Sequence, residues 1–287
     1  MGDDVSQATL SVWGGEGGPE GRSPESRGEW PGADARGPGS ATQVPVVLSA
    51  AYGYPDVESW LDVAQGRAPG HIYSRNTNPT VQAFEEKVRV LERAAAATSF
   101  ATGMAAISNT LFTLLAPGDR VVSVKDTYGG TNKIFTEFLP HWGVEVTLCD
   151  TSDHEQIEAA IGQGASPSGG CRVLYLESPT NPTLKVLDLA RLAAAGHRAG
   201  AVVVADNTFA TPINQNPLEL GCDLVLHSAT KFLGGHADAL GGVVCGDPDL
   251  VGRIYHYREI NGATLEPMAA YLLLRGMKTL HLRVRQQ

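Results

Sequence analysis

Ser228-Ala229-Thr230-Lys231 brings two hydroxyls and an amine together directly behind the apolar run DLVLH. A lysine held at a buried strand end gives up its charge readily and can serve as an imine-forming amine. A surface lysine is the plainer reading of the same residue. The hydroxyls, with Gly234-Gly235 just beyond, suit a phosphate, because small side chains and bare N–H groups let an anion approach. Asp206 follows the run AVVVA. A carboxylate there is costly without a partner, and it serves either as the cap of the next turn or as the partner of a ring nitrogen. Ala101-Thr102-Gly103-Met104 opens an Ala-rich helical stretch, where a glycine bares N–H groups at the positive end of the helix and makes a second anion corner. Tyr128, in DTYGGT, offers a flat face for stacking.

No GxxxxGK[ST] and no strand-following GxGxxG occurs, so nucleotide-binding loops lose ground. An amine for an imine, an acid for a ring nitrogen and two phosphate corners together meet the needs of pyridoxal 5′-phosphate. Asp206 would keep the pyridine nitrogen protonated, and Lys231 would hold the aldehyde and later move protons as a general base.

These residues need elements to hold them. Asn78-Pro79 opens a helix through VQAFEEKVRVLE, with Val81, Phe84, Val88 and Leu91 as its buried stripe. A second helix runs through GMAAISNTLFTLL and ends at Ala116-Pro117-Gly118. The runs RVVSV, VEVTLC, RVLYLE, AVVVAD, DLVLHS and LGGVVCG then read as strands, several of them separated by helical stretches. That alternation indicates an α/β fold with a mainly parallel central sheet flanked by helices. RVLYLE and AVVVAD are apolar on both faces, as strands covered on each side must be. In such sheets the ligand lies beyond the carboxyl ends of the strands, which is where Asp206 and Lys231 fall.

The chain has 287 residues, 43% hydrophobic, and a net charge of −9. It can bury a sizeable core, and its acidity argues against binding nucleic acid or anionic membranes. No stretch approaches the roughly 20 apolar residues of a membrane span, and the opening residues do not read as a signal peptide. Cys149, Cys171, Cys222 and Cys245 lie far apart with no CxxC pair, so reduced thiols, no metal site and a cytoplasmic location are expected. Residues 14–40 contain 13 Gly or Pro among 27, so 1–41 reads as a flexible tail or linker.

Six segments carry a family resemblance: YSRNTNPT (73–80), FATGMAAIS (100–108), DTYGGTNKIF (126–135), LESPTNPTLKV (176–186), VVADNTFATP (203–212) and LVLHSATKFLGGHADALGG (224–242). Together they resemble the Cys/Met-metabolism pyridoxal-phosphate enzymes, the group of cystathionine γ-lyase, cystathionine γ-synthase and methionine γ-lyase. The resemblance implies the fold-type I pyridoxal-phosphate transferase architecture. It implies that Lys231 forms the imine, that Asp206 pairs with the pyridine nitrogen, and that Tyr128 stacks on the ring and helps activate the substrate amine. Gly103, Met104, Ser228 and Thr230 would bind phosphate, with Thr208 beside them in the cofactor site, and Asn181 would bond the phenolic oxygen. Tyr73 and Arg75 would reach the phosphate in a neighbouring subunit, which implies a homodimer or homotetramer.

On this reading residues 42–72 form an arm contacting the neighbour, 73–270 the large cofactor domain, and 271–287 the start of a C-terminal small domain largely absent from the chain. The family's substrate-carboxylate arginine would lie in that absent part, since Arg283 and Arg285 come too early. Gly130 stands where methionine γ-lyases carry a cysteine, and DTYGGTN and KTLHLRV look closer to cystathionine γ-lyases. The expected activity is therefore a carbon–sulfur lyase, by β- or γ-elimination, on cysteine, cystathionine or another S-substituted amino acid. The alternatives are γ-replacement on an O-acylhomoserine and, more remotely, a non-catalytic interaction module. His227 and His236 are expected to pack or bond loops, and Glu177 to hold a neighbouring loop.

Overall fold

The computed structural model describes residues 43–163 and 170–287. The tail assigned to 1–41 lies outside the described residues. Seven strands form one sheet: β1 Ala96–Phe100, β2 Arg120–Val124, β3 Glu145–Cys149, β4 Val173–Glu177, β5 Val202–Asp206, β6 Leu224–Ser228 and β7 Gly242–Gly246. Their spatial order is β1-β7-β6-β5-β4-β2-β3. β7 runs antiparallel to both β1 and β6, whereas β3, β2, β4, β5 and β6 are parallel to one another. β1 therefore points the same way as the parallel set, and the mainly parallel α/β expectation holds.

β1 is the strand that periodicity does not reveal. Its sequence AATSF lacks the β-branched run that marks the other strands, and it is recruited by pairing along its whole length with β7, from Ala96↔Gly246 to Phe100↔Gly242. Tertiary pairing here overrides a weak intrinsic preference.

Helices cover both faces, as parallel strands require. On one face Ile107 and Leu111 of the helix Gly103–Leu114 pack with Phe135, Tyr175, Val204, Leu226 and Val244. On the other, Ile157 and Ile161 of His154–Gly162 and Leu192 of Leu189–Arg198 pack with Leu174 and Val203. The helix Pro79–Leu91 buries Val81, Phe84, Val88 and Leu91 beside Leu273, Leu274 and Met277 of Pro267–Met277. Asn78 caps it, its side chain accepting from the N–H of Thr80 at 2.9 Å. The stretch around NKIFTEFL begins as a helix at Gly129–Lys133 and widens into a π turn over Ile134–Phe138.

Four buried cysteines match the reduced-thiol reading. The run Tyr255-His256-Tyr257-Arg258 lies on the helix Pro248–Asn261, and Arg258 is not at a surface. It is 2% exposed, donates to the carbonyls of Ser99 and Asn76, and pairs with Glu85 at 3.3 Å. Burial of this cation is tolerable because these acceptors take its terminal NH groups, though Nε is left without a partner among the described residues.

Phe135 is fully buried and meets Tyr175 edge to face, with ring centroids 5.4 Å apart. Phe135→Ala is expected to cost about 3–5 kcal/mol in urea unfolding, the range for a large buried aromatic that leaves a cavity.

Candidate active site

Because β1, β2, β4, β5 and β6 point the same way, their carboxyl ends share one edge of the sheet. One pocket of about 720 Å³, its open mouth included, sits there. The segment after β1 contributes Gly103 and Met104, and the segment after β2 contributes Tyr128. Glu177 and Asn181 come from the end of β4, Asp206 and Thr208 from the end of β5, and Ser228, Thr230 and Lys231 from the end of β6. Residues as far apart in sequence as Thr102 and Leu240 thus line one cavity.

The corner at Gly103 is built by close approach. Thr102 caps the helix Gly103–Leu114, its hydroxyl accepting from the N–H of Ala105 at 3.0 Å. The N–H groups of Gly103 and Met104, in the first turn, have no helical acceptor. A Cβ on Gly103 would lie 2.6 Å from Cβ of Ser228, so only glycine lets the helix start touch the end of β6. The N–H of Ser228 donates to Oγ1 of Thr208 at 2.9 Å, joining the ends of β5 and β6. Thr230 is tied to Gly241, whose N–H donates to its Oγ1 at 3.0 Å.

Lys231 differs from the buried strand-end amine expected from sequence. It lies three residues beyond β6 in a turn, and its side chain is exposed where it lines the pocket. The turn is closed by the N–H of Lys231 to the carbonyl of Ser228 (3.1 Å) and by the N–H of Gly235 to the carbonyl of Lys231 (2.7 Å). The amine is positioned by the turn and not by enclosure.

Asp206 has the partners that a carboxylate at a buried strand end requires. It is 8% exposed, accepting from the N–H of Thr208 at 3.0 Å and from the hydroxyl of Tyr175 at 3.2 Å. Sequence reading missed Tyr175, although its place two residues before Glu177 in β4 puts both side chains on one face. The β4–β5 register sets Glu177 opposite Asp206. Glu177, 5% exposed, accepts from the N–H of Asn181 at 2.8 Å and from the N–H of Tyr128 at 2.9 Å. It therefore holds two loops, where sequence reading expected one.

Tyr73 and Arg75 do not line this pocket. Both are exposed, the Arg75 guanidinium lies 5.4 Å from the Tyr73 ring centroid, and Arg75 donates to the carbonyl of Glu259. His227 is buried against Glu92 at 2.5 Å, and His236 bonds the carbonyl of Gly234 at 2.8 Å, so both histidines have packing and loop-bonding roles.

Burial first, then the charge of Asp206, pushes the Glu177 carboxyl up from 4.5 to about 8, and burial holds the Tyr175 phenol protonated. A carboxyl whose pKa is raised by folding binds its proton more tightly in the native state than in the unfolded chain. Its stabilising effect is therefore complete below about 4.5 and is lost as pH rises towards about 8. From about pH 5.5 to about pH 8.5, wild type should lose unfolding free energy relative to Glu177→Gln, measured by urea titration at each pH.

The sequence matches the family described as Cys/Met metabolism PLP-dependent enzyme over residues 32–287. It is 42% identical over 255 residues to L-methionine gamma-lyase of Pseudomonas putida, covering 88% of this chain and 63% of that protein. It is 41% identical over 247 residues to cystathionine gamma-synthase 1, chloroplastic, of Arabidopsis thaliana, covering 86% of this chain and 43% of that protein. Cystathionine gamma-lyase from Lactobacillus plantarum complexed with L-serine superposes with a TM-score of 0.81 at 35% identity, over 97% of this chain and 65% of that one. The chain thus spans between about two fifths and two thirds of the length of these relatives.

The residues present fit pyridoxal 5′-phosphate. A glycine-lined helix start and hydroxyls offer an anion cradle, a paired carboxylate stands at the end of β5, a half-exposed tyrosine ring lines the cavity, and a lysine amine reaches it. The chain belongs to the Cys/Met metabolism family of pyridoxal-phosphate-dependent enzymes.

Proposed function

We propose that the protein is a carbon–sulfur lyase, eliminating at the β- or γ-carbon of cysteine, cystathionine or another S-substituted amino acid. The observation that carries this reading is the convergence of Lys231, Asp206, Tyr128 and the Gly103 cradle on one pocket. When bound, the cofactor supplies an electron sink for the electrons left by α-proton removal. The chain supplies the rest. Gly103, Met104, Ser228, Thr208 and Thr230 hold the phosphate, and Asn181 bonds the phenolic oxygen. Asp206 faces the ring nitrogen, its position set by Thr208 and Tyr175. Tyr128 would stack on the ring, and its hydroxyl would hydrogen-bond the substrate amine and help activate it. The Nζ of Lys231 takes the proton from the α-carbon, and exposure in a turn leaves it free to swing between positions.

Gly130 bears on the choice among family activities. A Cβ at this position would lie 2.8 Å from Cε1 of Tyr128 and 2.9 Å from Sδ of Met104, so a larger residue must displace the ring or the thioether. This favours a substrate pocket unlike that of methionine γ-lyases. A second reading, γ-replacement on an O-acylhomoserine, draws support from the 41% identity to a cystathionine gamma-synthase. In either reading the protein works as a homodimer or homotetramer in the cytoplasm. Residues 42–72 act as an arm, and Tyr73 and Arg75, exposed and outside their own chain's pocket, serve the neighbour's phosphate. Among the described residues no helix is long and apolar enough to cross a membrane.

Incubation with the cofactor and cysteine or cystathionine should yield pyruvate or 2-oxobutyrate by mass spectrometry. Cystathionine from O-acylhomoserine plus cysteine, with little keto acid from any mixture, would make the synthase reading correct. Lys231→Ala should lower turnover by about 1,000-fold or more, since a proton-moving group contributes 10²–10⁴-fold and the imine amine is lost as well. Arg75→Ala should weaken cofactor retention without altering the fold, read by cofactor absorbance after gel filtration and by circular dichroism. Unchanged retention would remove the cross-subunit contact.

A further inference from the structure

We propose that Glu177 is a positioning residue of the cofactor site: one buried carboxylate, through two backbone N–H groups, holds both the loop carrying Tyr128 and the loop carrying Asn181. The proposal rests on the cofactor reading of the pocket and not on which sulfur compound is cleaved. Oε2 takes the N–H of Tyr128 and Oε1 the N–H of Asn181, at 2.9 and 2.8 Å. These are the two residues whose side chains contact opposite parts of the same flat cofactor in the reading above. Their loops follow different strands, β2 and β4, so their separation is set by whatever bridges them.

At the rim the loops meet again through the Lys185–Asp126 ion pair, 2.9 Å long, but with both partners partly exposed. Such exposed pairs hold weakly, whereas hydrogen bonds made in a buried site, away from competing water, hold more firmly. Both oxygens of a carboxyl group keep acceptor lone pairs, so it can take both donors. A glutamine at 177 would turn its amide N–H₂ towards one of them and leave that N–H without an acceptor. The arrangement is also a costly one, with Asp206 opposite in register and the Tyr175 hydroxyl bonded to Asp206 nearby. An amide or apolar side chain would avoid the crowding of two acids, so filling space does not account for a carboxylate here.

The test uses the full chain and pyridoxal 5′-phosphate alone, so failure of the lyase reading leaves its readouts intact. Cofactor affinity is measured by absorbance titration, ring orientation by visible circular dichroism, and folding by thermal melting of the cofactor-free protein. Glu177→Gln should bind the cofactor about 10- to 100-fold more weakly and change the visible dichroism, while still melting cooperatively. In a Tyr128→Ala/Asn181→Ala background, Glu177→Gln should change affinity by less than about twofold, because residues acting through one another are non-additive. Should Glu177→Gln not fold, Glu177→Asp keeps the charge but shortens the reach and should weaken binding in the same way. Unchanged affinity and dichroism in the folded variant, or a full effect of Glu177→Gln in the double background, would overturn the proposal.

Discussion

Two carboxylates stand side by side at the ends of neighbouring parallel strands, Glu177 on β4 and Asp206 on β5, and the site is arranged around their mutual repulsion. Neither could be buried alone at low cost. Each is given its own set of donors: Thr208 N–H and Tyr175 hydroxyl for Asp206, Tyr128 N–H and Asn181 N–H for Glu177. Satisfying the pair therefore draws the loops after β2, β4 and β5 to fixed places. Burial and the charge of Asp206 push the Glu177 carboxyl up to about 8, which eases the repulsion between the two acids. The electrostatic problem and the positioning of the site share one solution.

The second constraint is steric. The helix Gly103–Leu114 has to bring its first turn against the end of β6, and a Cβ at Gly103 would collide with Ser228 at 2.6 Å. The same helix crosses β7 at Gly242, where a Cβ would lie 2.2 Å from the carbonyl oxygen of Thr102. Two glycines thus let one helix N-terminus sink onto the sheet edge, where the N–H groups of its first turn have no helical acceptor. The dominant core cluster, with Ile107 and Leu111 under Val204 and Leu226, fixes that helix from behind. Packing on one face of the sheet is in this way converted into donor geometry at its edge.

Family membership and reaction are decided at different levels. The strand order and the pocket follow from the shared architecture, and relatives named as lyases and as synthases match this chain at nearly equal identity, 41–42%. At Gly130, the absence of a side chain leaves space bordered by Tyr128 and Met104. Function in this fold lies in a few residues at the strand ends.

Much of the candidate site is legible in the sequence. Asp206, Lys231 and Gly103 stand next to strand or helix boundaries that hydrophobic periodicity marks, and a parallel sheet gathers such boundaries at one edge. Local capping was equally readable, because Asn78-Pro79 specifies its own helix start. What sequence could not decide were features created by neighbours. β1 exists because β7 pairs with it. Arg258 is buried because Ser99, Asn76 and Glu85 surround it. Lys231 is exposed because its turn carries it beyond the strand, and Glu177 is a two-loop bracket because the fold brings the N–H of Tyr128, 49 residues away, to it. Chemistry written within a few residues along the chain can be read from the chain, whereas chemistry made by contacts between distant segments is decided only when the sheet aligns them.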